Sequence, residues 1–149
     1  MAELTTYILI LLPAISGYIT SMKCHIGKDA GSEINARPPS WVFGAVWPLL
    51  YILLGLTWVK LRRYNKFLVD ILMAINTLCL VLWIIIYGCK NNKKQALYVM
   101  LLILLVALCI FGYSWSVDTV SGIMITPFVV WIMFALMLNY SQVTSIQVV

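Results

Sequence analysis

Charged residues are scarce in this chain: they make up 10% of its 149 residues, against 63% hydrophobic residues, and the mean hydropathy is +0.99. A water-soluble domain needs far more polar surface than this. The composition therefore excludes a soluble globular protein and predicts that lipid is the solvent. Because hydrocarbon offers no hydrogen-bond partners, and because the apolar runs are long and do not alternate, the spanning segments are predicted to be helices rather than barrel strands.

Groups that carry catalysis or ion transport are also missing. No Asp, Glu, Lys, Arg or His falls deep within an apolar run, although Asp70 lies near the start of one; proton relays and ion pathways normally need such groups. There is no G-x-S-x-G motif, no pair of carboxylates on one helix and no histidine cluster, so hydrolysis has no candidate catalytic residue. His25 is a lone loop histidine, which we interpret as solvated rather than as a haem or metal ligand.

The four cysteines show no metal-ligand or redox-motif spacing. Cys24, Cys79, Cys89 and Cys109 form no C-x-x-C pair and have no companion histidines at ligand spacing. A structural role is the better interpretation of each. The sequence predicts no metal site and no catalytic residue.

The apolar runs divide the chain into five spans of about 20 residues each. We predict an all-α, five-helix transmembrane bundle that forms one domain over residues 1–149, with spans at about residues 4–22, 41–59, 67–88, 96–115 and 120–140. The first run lacks the basic start and the small-residue cleavage site of a signal peptide, so it is interpreted as a retained helix. These spans predict an integral, multi-pass membrane protein, in a membrane that the sequence does not identify.

The ten basic residues lie almost entirely in the connections between the spans. Short basic loops beside apolar spans are typical of membrane topology and of lipid head-group contacts, so the net charge of +5 predicts a lipid bilayer as partner and no nucleic acid. The first and third loops carry six Lys and Arg residues, against four in the second and none in the fourth. This small excess favours a cytoplasmic position for the first loop and the C-terminus.

Three of the spans carry aromatic residues on one helical face. In the second span, rings alternate with small residues and proline at spacings of three and four, in the order Gly44, Trp47, Pro48, Tyr51, Gly55 and Trp58. Comparable faces in the third and fifth spans are formed by Asn76, Leu80, Trp83 and Tyr87, and by Pro127, Trp131, Phe134 and Leu138, with Ala135 and Asn139 at the edge. Such faces are also typical of helix packing, but three together are able to enclose a flat apolar guest.

Asn76 is a polar amide within the third apolar run. An uncompensated amide in hydrocarbon costs free energy, so its side chain should face another helix, a backbone carbonyl or a ligand. We slightly favour an interhelical hydrogen bond over a ligand contact.

The segment from Arg37 to Tyr51, R-P-P-S-W-V-F-G-A-V-W-P-L-L-Y, resembles the signature of the translocator protein family, also called tryptophan-rich sensory proteins or peripheral benzodiazepine receptors. It reproduces the family's P-P-x-W-x-F-G-x-V-W-x-x-L-Y core. The fifth span, from Pro127 to Asn139, is similar to the family's P-x-x-x-W-x-x-F-x-x-x-L-N pattern. Asn76 and Pro13 resemble the family's third-helix asparagine and first-helix proline, so the likeness covers roughly residues 13–140.

The resemblance implies a five-helix bundle, often a homodimer, with a cavity beneath the first loop that receives porphyrins such as protoporphyrin IX and benzodiazepine-site ligands. The ligand-binding residues that it implies are Trp41, Trp47, Tyr51, Asn76, Trp131, Phe134, Ala135 and Leu138. No cofactor is required, and a porphyrin or haem-related tetrapyrrole is the implied ligand. Its plane would stack on indole rings while its propionates reach Lys28 or Arg37.

Three departures from the family pattern narrow these expectations. The first loop lacks the tryptophan that the family links to light-dependent porphyrin breakdown, which argues against an enzyme. Cys79 stands where the third helix often has a tryptophan, so the pocket is expected to suit a different guest. No basic residue follows Tyr140, so the family's sterol pattern is incomplete and sterol binding is a minor hypothesis. A receptor or carrier of porphyrins is the leading interpretation; a photo-oxidative enzyme and a structural protein that modulates a partner without a ligand are the alternatives.

Overall fold

Five α-helices make up most of the described chain. The computed structural model describes residues 2–26, 35 and 37–147. Its helices are α1 Ala2–Lys23, α2 Ser40–Leu61, α3 Lys66–Ile84, α4 Lys93–Val117 and α5 Thr119–Gln147, and α3 continues into a π-helical turn, Ile85–Cys89. All five are long and apolar enough to cross a membrane. The predicted all-α transmembrane fold is confirmed, and the helices contain each predicted span, the third only together with the π-helical turn.

Short polar turns begin three of the helices. The side chains of Asn65, Asn92 and Asp118 each accept a hydrogen bond from the backbone N–H three residues further on, at 3.1, 3.0 and 2.9 Å. These bonds pair N–H groups that the first turn of a helix leaves without a partner. Asn91 has a left-handed backbone with φ of 49°, which asparagine tolerates better than most residues. The turns therefore stay short, and consecutive helices run antiparallel.

The helices surround the bundle axis in the order α1, α2, α5, α4, α3, and α2 also contacts α3. Four of them supply the fully buried core side chains, among them Leu54, Met73, Ile103 and Phe128. By contrast, among the α1 residues whose burial the structure describes, only Pro13 and Gly17 are buried. Helices α2 to α5 therefore form the core, and α1 packs on its outside against α2 and α3.

Two glycines allow α1 to approach α2 closely. A Cβ atom at Gly55 would overlap the backbone of Ile10, and one at Gly17 would come within 2.7 Å of the Tyr51 ring. Small residues let membrane helices approach at backbone distance, and here they set the separation of α1 and α2.

One end of the bundle is held by paired charges, and we call it the charged end. Asp70 of α3 accepts hydrogen bonds from Trp58 Nε1 at 2.7 Å and from Arg62 Nη2 at 3.0 Å. Lys60 Nζ lies 3.3 Å from Asp118 Oδ2 in the turn between α4 and α5. These contacts join the C-terminal end of α2 to α3 and to that turn.

A disulfide lies at the opposite end of the bundle, which we call the disulfide end. It joins Cys24, directly after α1, to Cys89, the last residue of the π-helical turn, with Cα atoms 4.7 Å apart across 65 residues of sequence. Nothing in the spacing of the cysteines indicated this pairing; Cys79 and Cys109 are free. The charge count assigns the disulfide end to the cytoplasm, and that topology stays a prediction.

Candidate ligand-binding site

A cavity of about 580 Å³ lies between α1, α2 and α3, in the half of the bundle nearer the disulfide end. Small-molecule sites typically enclose about 300–1,000 Å³, so its size suits an organic ligand. Its lining is almost wholly apolar or aromatic and consists of Ala14, Ile15, Gly17, Tyr18, Ser21, Ile26, Phe43, Gly44, Trp47, Pro48, Tyr51, Trp83 and Ile84.

The cavity opens on the outer surface between α1 and α2. Ile15 and Tyr18 on α1 are 50% and 66% exposed, and Gly44 and Pro48 on α2 are exposed as well. Lipid covers this surface in a membrane-spanning bundle, so the opening faces the hydrocarbon.

Seven aromatic rings from α2, α3 and α5 form one connected set around the inner wall of the cavity. Trp47 lies at its centre, with ring centroids 5.5 Å from Tyr51, 6.2 Å from Trp83 and 6.3 Å from Trp131. Further ring contacts, at 4.9 to 5.7 Å, link Trp83 to Tyr87, Phe43 to Trp131 and Trp131 to Phe134. We call this set the aromatic cluster: Phe43, Trp47, Tyr51, Trp83, Tyr87, Trp131 and Phe134.

The ring planes within the cluster are partly aligned. Trp47 is inclined by 31° to Tyr51 and by 30° to Trp83, whereas Trp131 stands at 89° to Trp47. The first three rings line the cavity. Trp47 is thus moderately inclined to each of its two lining neighbours, and Trp131 stands edge-on to it.

The structure brings together four of the eight site residues that the resemblance implies. Trp47 and Tyr51 line the cavity, and Trp131 and Phe134 join them through ring contacts without being part of its lining. The other four lie elsewhere. Trp41, in the first turn of α2, is 72% exposed. The remaining three do not line the cavity: Asn76 and Leu138 are buried, and Ala135 is partly buried.

Sequence reasoning missed the contribution of α1 to the site. Ala14, Gly17 and Ser21 line the cavity and recur at spacings of three and four, so they lie on one face of the helix. A stripe of small residues on one helical face indicates close helix packing, and it could have been recognised in the sequence. Its role in the cavity becomes visible only once α1 is placed beside α2 and α3.

Several buried polar atoms around the cluster have no hydrogen-bond partner within the described part of the chain. They are the indole nitrogens of Trp83 and Trp131 and both polar atoms of the Asn76 amide. The interhelical hydrogen bond favoured for Asn76 is therefore not formed among the described residues, and the amide is fully buried. Such atoms lower stability in a protein interior, and the two indole nitrogens belong to the aromatic cluster itself.

Polar contacts continue from the cluster to the disulfide end. Tyr87 Oη donates to Gln142 Oε1 at 2.8 Å, which ties α3 to α5. Lys93 Nζ lies 3.3 Å from the centroid of the Tyr87 ring, a cation–π contact. Arg37 also lies near the cavity, with Cζ 6.0 Å from the centroid of Phe43. The second predicted propionate partner, Lys28, falls outside the described residues.

The described residues contain no group of three or more His, Cys, Asp or Glu side chains that could hold a metal ion. A model of the TspO/MBR family matches residues 5–144 of the chain. The chain belongs to the TspO/MBR family. All thirteen residues that line the cavity fall within the matched range.

Individual members of the TspO/MBR family are also similar to this chain. Protein CrtK of Rhodobacter capsulatus is 31% identical over 113 residues, which are 70% of this chain and 68% of CrtK. A tryptophan-rich sensory protein of Cereibacter sphaeroides is 28% identical over 110 residues, 70% of this chain and 66% of that protein. The chain is thus an integral, multi-pass membrane member of the TspO/MBR family.

Proposed function

We propose that this protein is a membrane receptor or carrier that binds a flat, mainly apolar tetrapyrrole such as protoporphyrin IX in the cavity between α1, α2 and α3. The observation that carries the proposal is the cavity of about 580 Å³ lined by Trp47, Tyr51 and Trp83, in which the Trp47 ring is inclined by 31° to Tyr51 and by 30° to Trp83. A planar conjugated ligand gains most from such rings because it can stack on several of them at once. An irregular aliphatic ligand would gain only from burial.

The position of the opening supports an apolar ligand. A tetrapyrrole with a hydrophobic macrocycle partitions into the bilayer, and the cavity opens between Ile15, Tyr18, Gly44 and Pro48 on the lipid-covered surface. The ligand reaches the site from the hydrocarbon without first crossing water.

The unpartnered indole groups support a ligand that also carries hydrogen-bond acceptors. Trp83 lines the cavity, and its Nε1 is buried without a partner among the described residues. An acceptor on the ligand would pair this N–H group, which the apolar lining cannot do. Carboxylates at the ligand's edge would meet Arg37, which lies beside the cavity residue Phe43.

Titration of the protein in lipid nanodiscs with protoporphyrin IX, followed by the Soret absorbance of the porphyrin, tests the proposal. We expect Trp47→Ala to weaken binding about tenfold, since loss of the central ring removes roughly 1.4 kcal/mol of stacking and burial. The matched control is Trp115→Ala, because Trp115 packs against Gly122 where α4 meets α5, away from the cavity. No binding by the native chain, or equal losses in the two variants, would contradict the proposal.

A further inference from the structure

The Cys24–Cys89 disulfide lies beside the cavity described above. Ser21 and Ile26, on either side of Cys24 in the sequence, line the cavity, and so does Ile84, which directly precedes the π-helical turn that ends at Cys89. The bond therefore joins two walls of the cavity, α1 and α3, at one edge.

The backbone around the disulfide packs tightly, independently of the sulfur atoms. A Cβ atom at Gly88 would lie 2.9 Å from the Cys24 carbonyl oxygen. The π-helical turn widens the end of α3, with Lys90 N donating to Ile85 O at 3.0 Å. Together the glycine and the wide turn place Cys89 against the segment that follows α1.

Apart from the disulfide, α1 packs mainly against α2. Its described side chains are mostly exposed, and its close contacts with α2 lie near Ile10 and Gly17, one turn or more before Cys24. The disulfide is therefore the covalent link that holds the last turn of α1, next to the cavity, against the end of α3, where the Cys24 backbone also packs on Gly88. Breaking the bond would free that turn while the middle of the helix stays attached.

We propose that the Cys24–Cys89 bond is a redox latch that sets how firmly the cavity holds its ligand. In the oxidised state the bond fixes α1 against α3 and slows ligand release. A small dithiol reductant converts it to two thiols: the reductant's thiolate attacks the sulfur of Cys89, an exposed residue, and Cys24 leaves as a thiolate that is then protonated. The reductant's second thiol then attacks the reductant's own sulfur in this mixed disulfide, which closes the reductant's disulfide and releases Cys89 as a thiolate that is protonated in turn. The reductant is oxidised by two electrons, the protein disulfide is reduced by two, and the last turn of α1 is released.

The predicted topology makes this bond a switch rather than a permanent link. The charge count assigns the disulfide end to the cytoplasm, where disulfides are typically transient and redox-sensing. A bond placed there is made and broken as the thiol balance changes. The inference rests on the proposed ligand site, since it regulates binding at that cavity.

Two measurements on the full-length protein in nanodiscs test the latch. The first is the dissociation constant of protoporphyrin IX before and after reduction with tris(2-carboxyethyl)phosphine. We expect reduction to weaken binding about fivefold or more, the usual lower range of coupling between two sites. By reciprocity, bound porphyrin should protect the disulfide from reduction by the same factor.

The second measurement needs no ligand: hydrogen exchange of the backbone amides in the last turn of α1. Reduction should speed exchange there and leave α4 unchanged. Cys24→Ser/Cys89→Ser should resemble the reduced protein under all conditions. The matched control, Cys79→Ala/Cys109→Ala, lacks the two free cysteines and should keep the full redox response.

The outcomes separate the latch from the ligand site. Faster exchange without any porphyrin binding would support the latch and remove the porphyrin as ligand. Porphyrin binding of equal strength in both redox states would overturn the latch and leave the site. The redox state of the two cysteines in cells can be measured by acid quenching followed by alkylation. If the disulfide is fully oxidised even under reductive stress, the switch is overturned.

Discussion

At the charged end of the bundle, polar side chains have partners on neighbouring helices, whereas in the half nearer the disulfide end several have none among the described residues. Asp70 accepts from Trp58 and Arg62, and Asp118 pairs with Lys60. The other half contains unpartnered indole nitrogens and the cavity. The contrast indicates that the charged end holds the helices together, whereas the half nearer the disulfide end is shaped for a ligand.

If that division is correct, filling the cavity should abolish binding without lowering stability. Gly44 lines the cavity, and a Cβ atom there would meet nothing within 4 Å. Gly44→Leu should weaken protoporphyrin IX binding about a hundredfold, roughly 2.7 kcal/mol, with an unchanged or higher Tm. The control is Gly112→Leu on α4, which has equally open surroundings and should bind normally. Normal binding by Gly44→Leu would place the ligand elsewhere.

Forcing α1 away from α2 should affect both binding and stability. Gly55→Ala places a methyl group onto the backbone of Ile10, so α1 has to move. We expect a loss of about 2 kcal/mol in the free energy of unfolding and weaker porphyrin binding, measured by thermal unfolding and by titration. Gly112→Ala, which adds the same methyl group in open space, should be neutral or slightly stabilising. A similar loss in both variants would show that the contact with Ile10 is not responsible.

Breaking the ionic contacts of the charged end should lower stability alone. Asp70→Asn weakens the acceptor of Trp58 and Arg62, and we expect a loss of about 1 kcal/mol because the pair is partly exposed. Porphyrin affinity should stay the same, since the cavity lies in the other half. A change in affinity as large as the change in stability would contradict the division between the halves.

The smallest effect is expected for Asp118, and it depends on pH. Hydrogen bonds from Ser121, together with Lys60, hold the pKa of Asp118 below its ordinary value despite an opposing effect of desolvation. Its stabilising contribution is therefore complete above the ordinary pKa of about 3.9 and is lost as the pH falls through the lower folded value. Asp118→Asn should flatten the fall of Tm in that acidic range, whereas Glu3→Gln, at an exposed residue, should not.

The fold was predictable from sequence because lipid leaves few alternatives. Apolar runs of about 20 residues must be helices, and turns such as that around Asn91 are short enough to make neighbours antiparallel. The helix α5 continues to Gln147, past the end of the predicted span at residue 140, because hydroxyl and amide residues extend the helix beyond the apolar run. Polarity marks where hydrocarbon ends, not where hydrogen bonding ends.

The candidate site was only partly predictable. Helical spacing identified the rings of Trp47, Tyr51 and Trp131, since residues three and four apart share a face. Spacing does not reveal which faces meet, so the cavity's dependence on α1 was missed. The pairing of Cys24 with Cys89 was also beyond reach, because it depends on a π-helical turn and on contact between segments 65 residues apart.

Because α1 makes its main contacts with α2 and α3, which follow it in the chain, α1 has to wait in the bilayer until both of those helices have been inserted. An isolated apolar helix is stable there, since all its backbone hydrogen bonds are internal. Since α1, α2 and α3 all line the cavity, the ligand site does not exist until α1 has docked on both of the other helices.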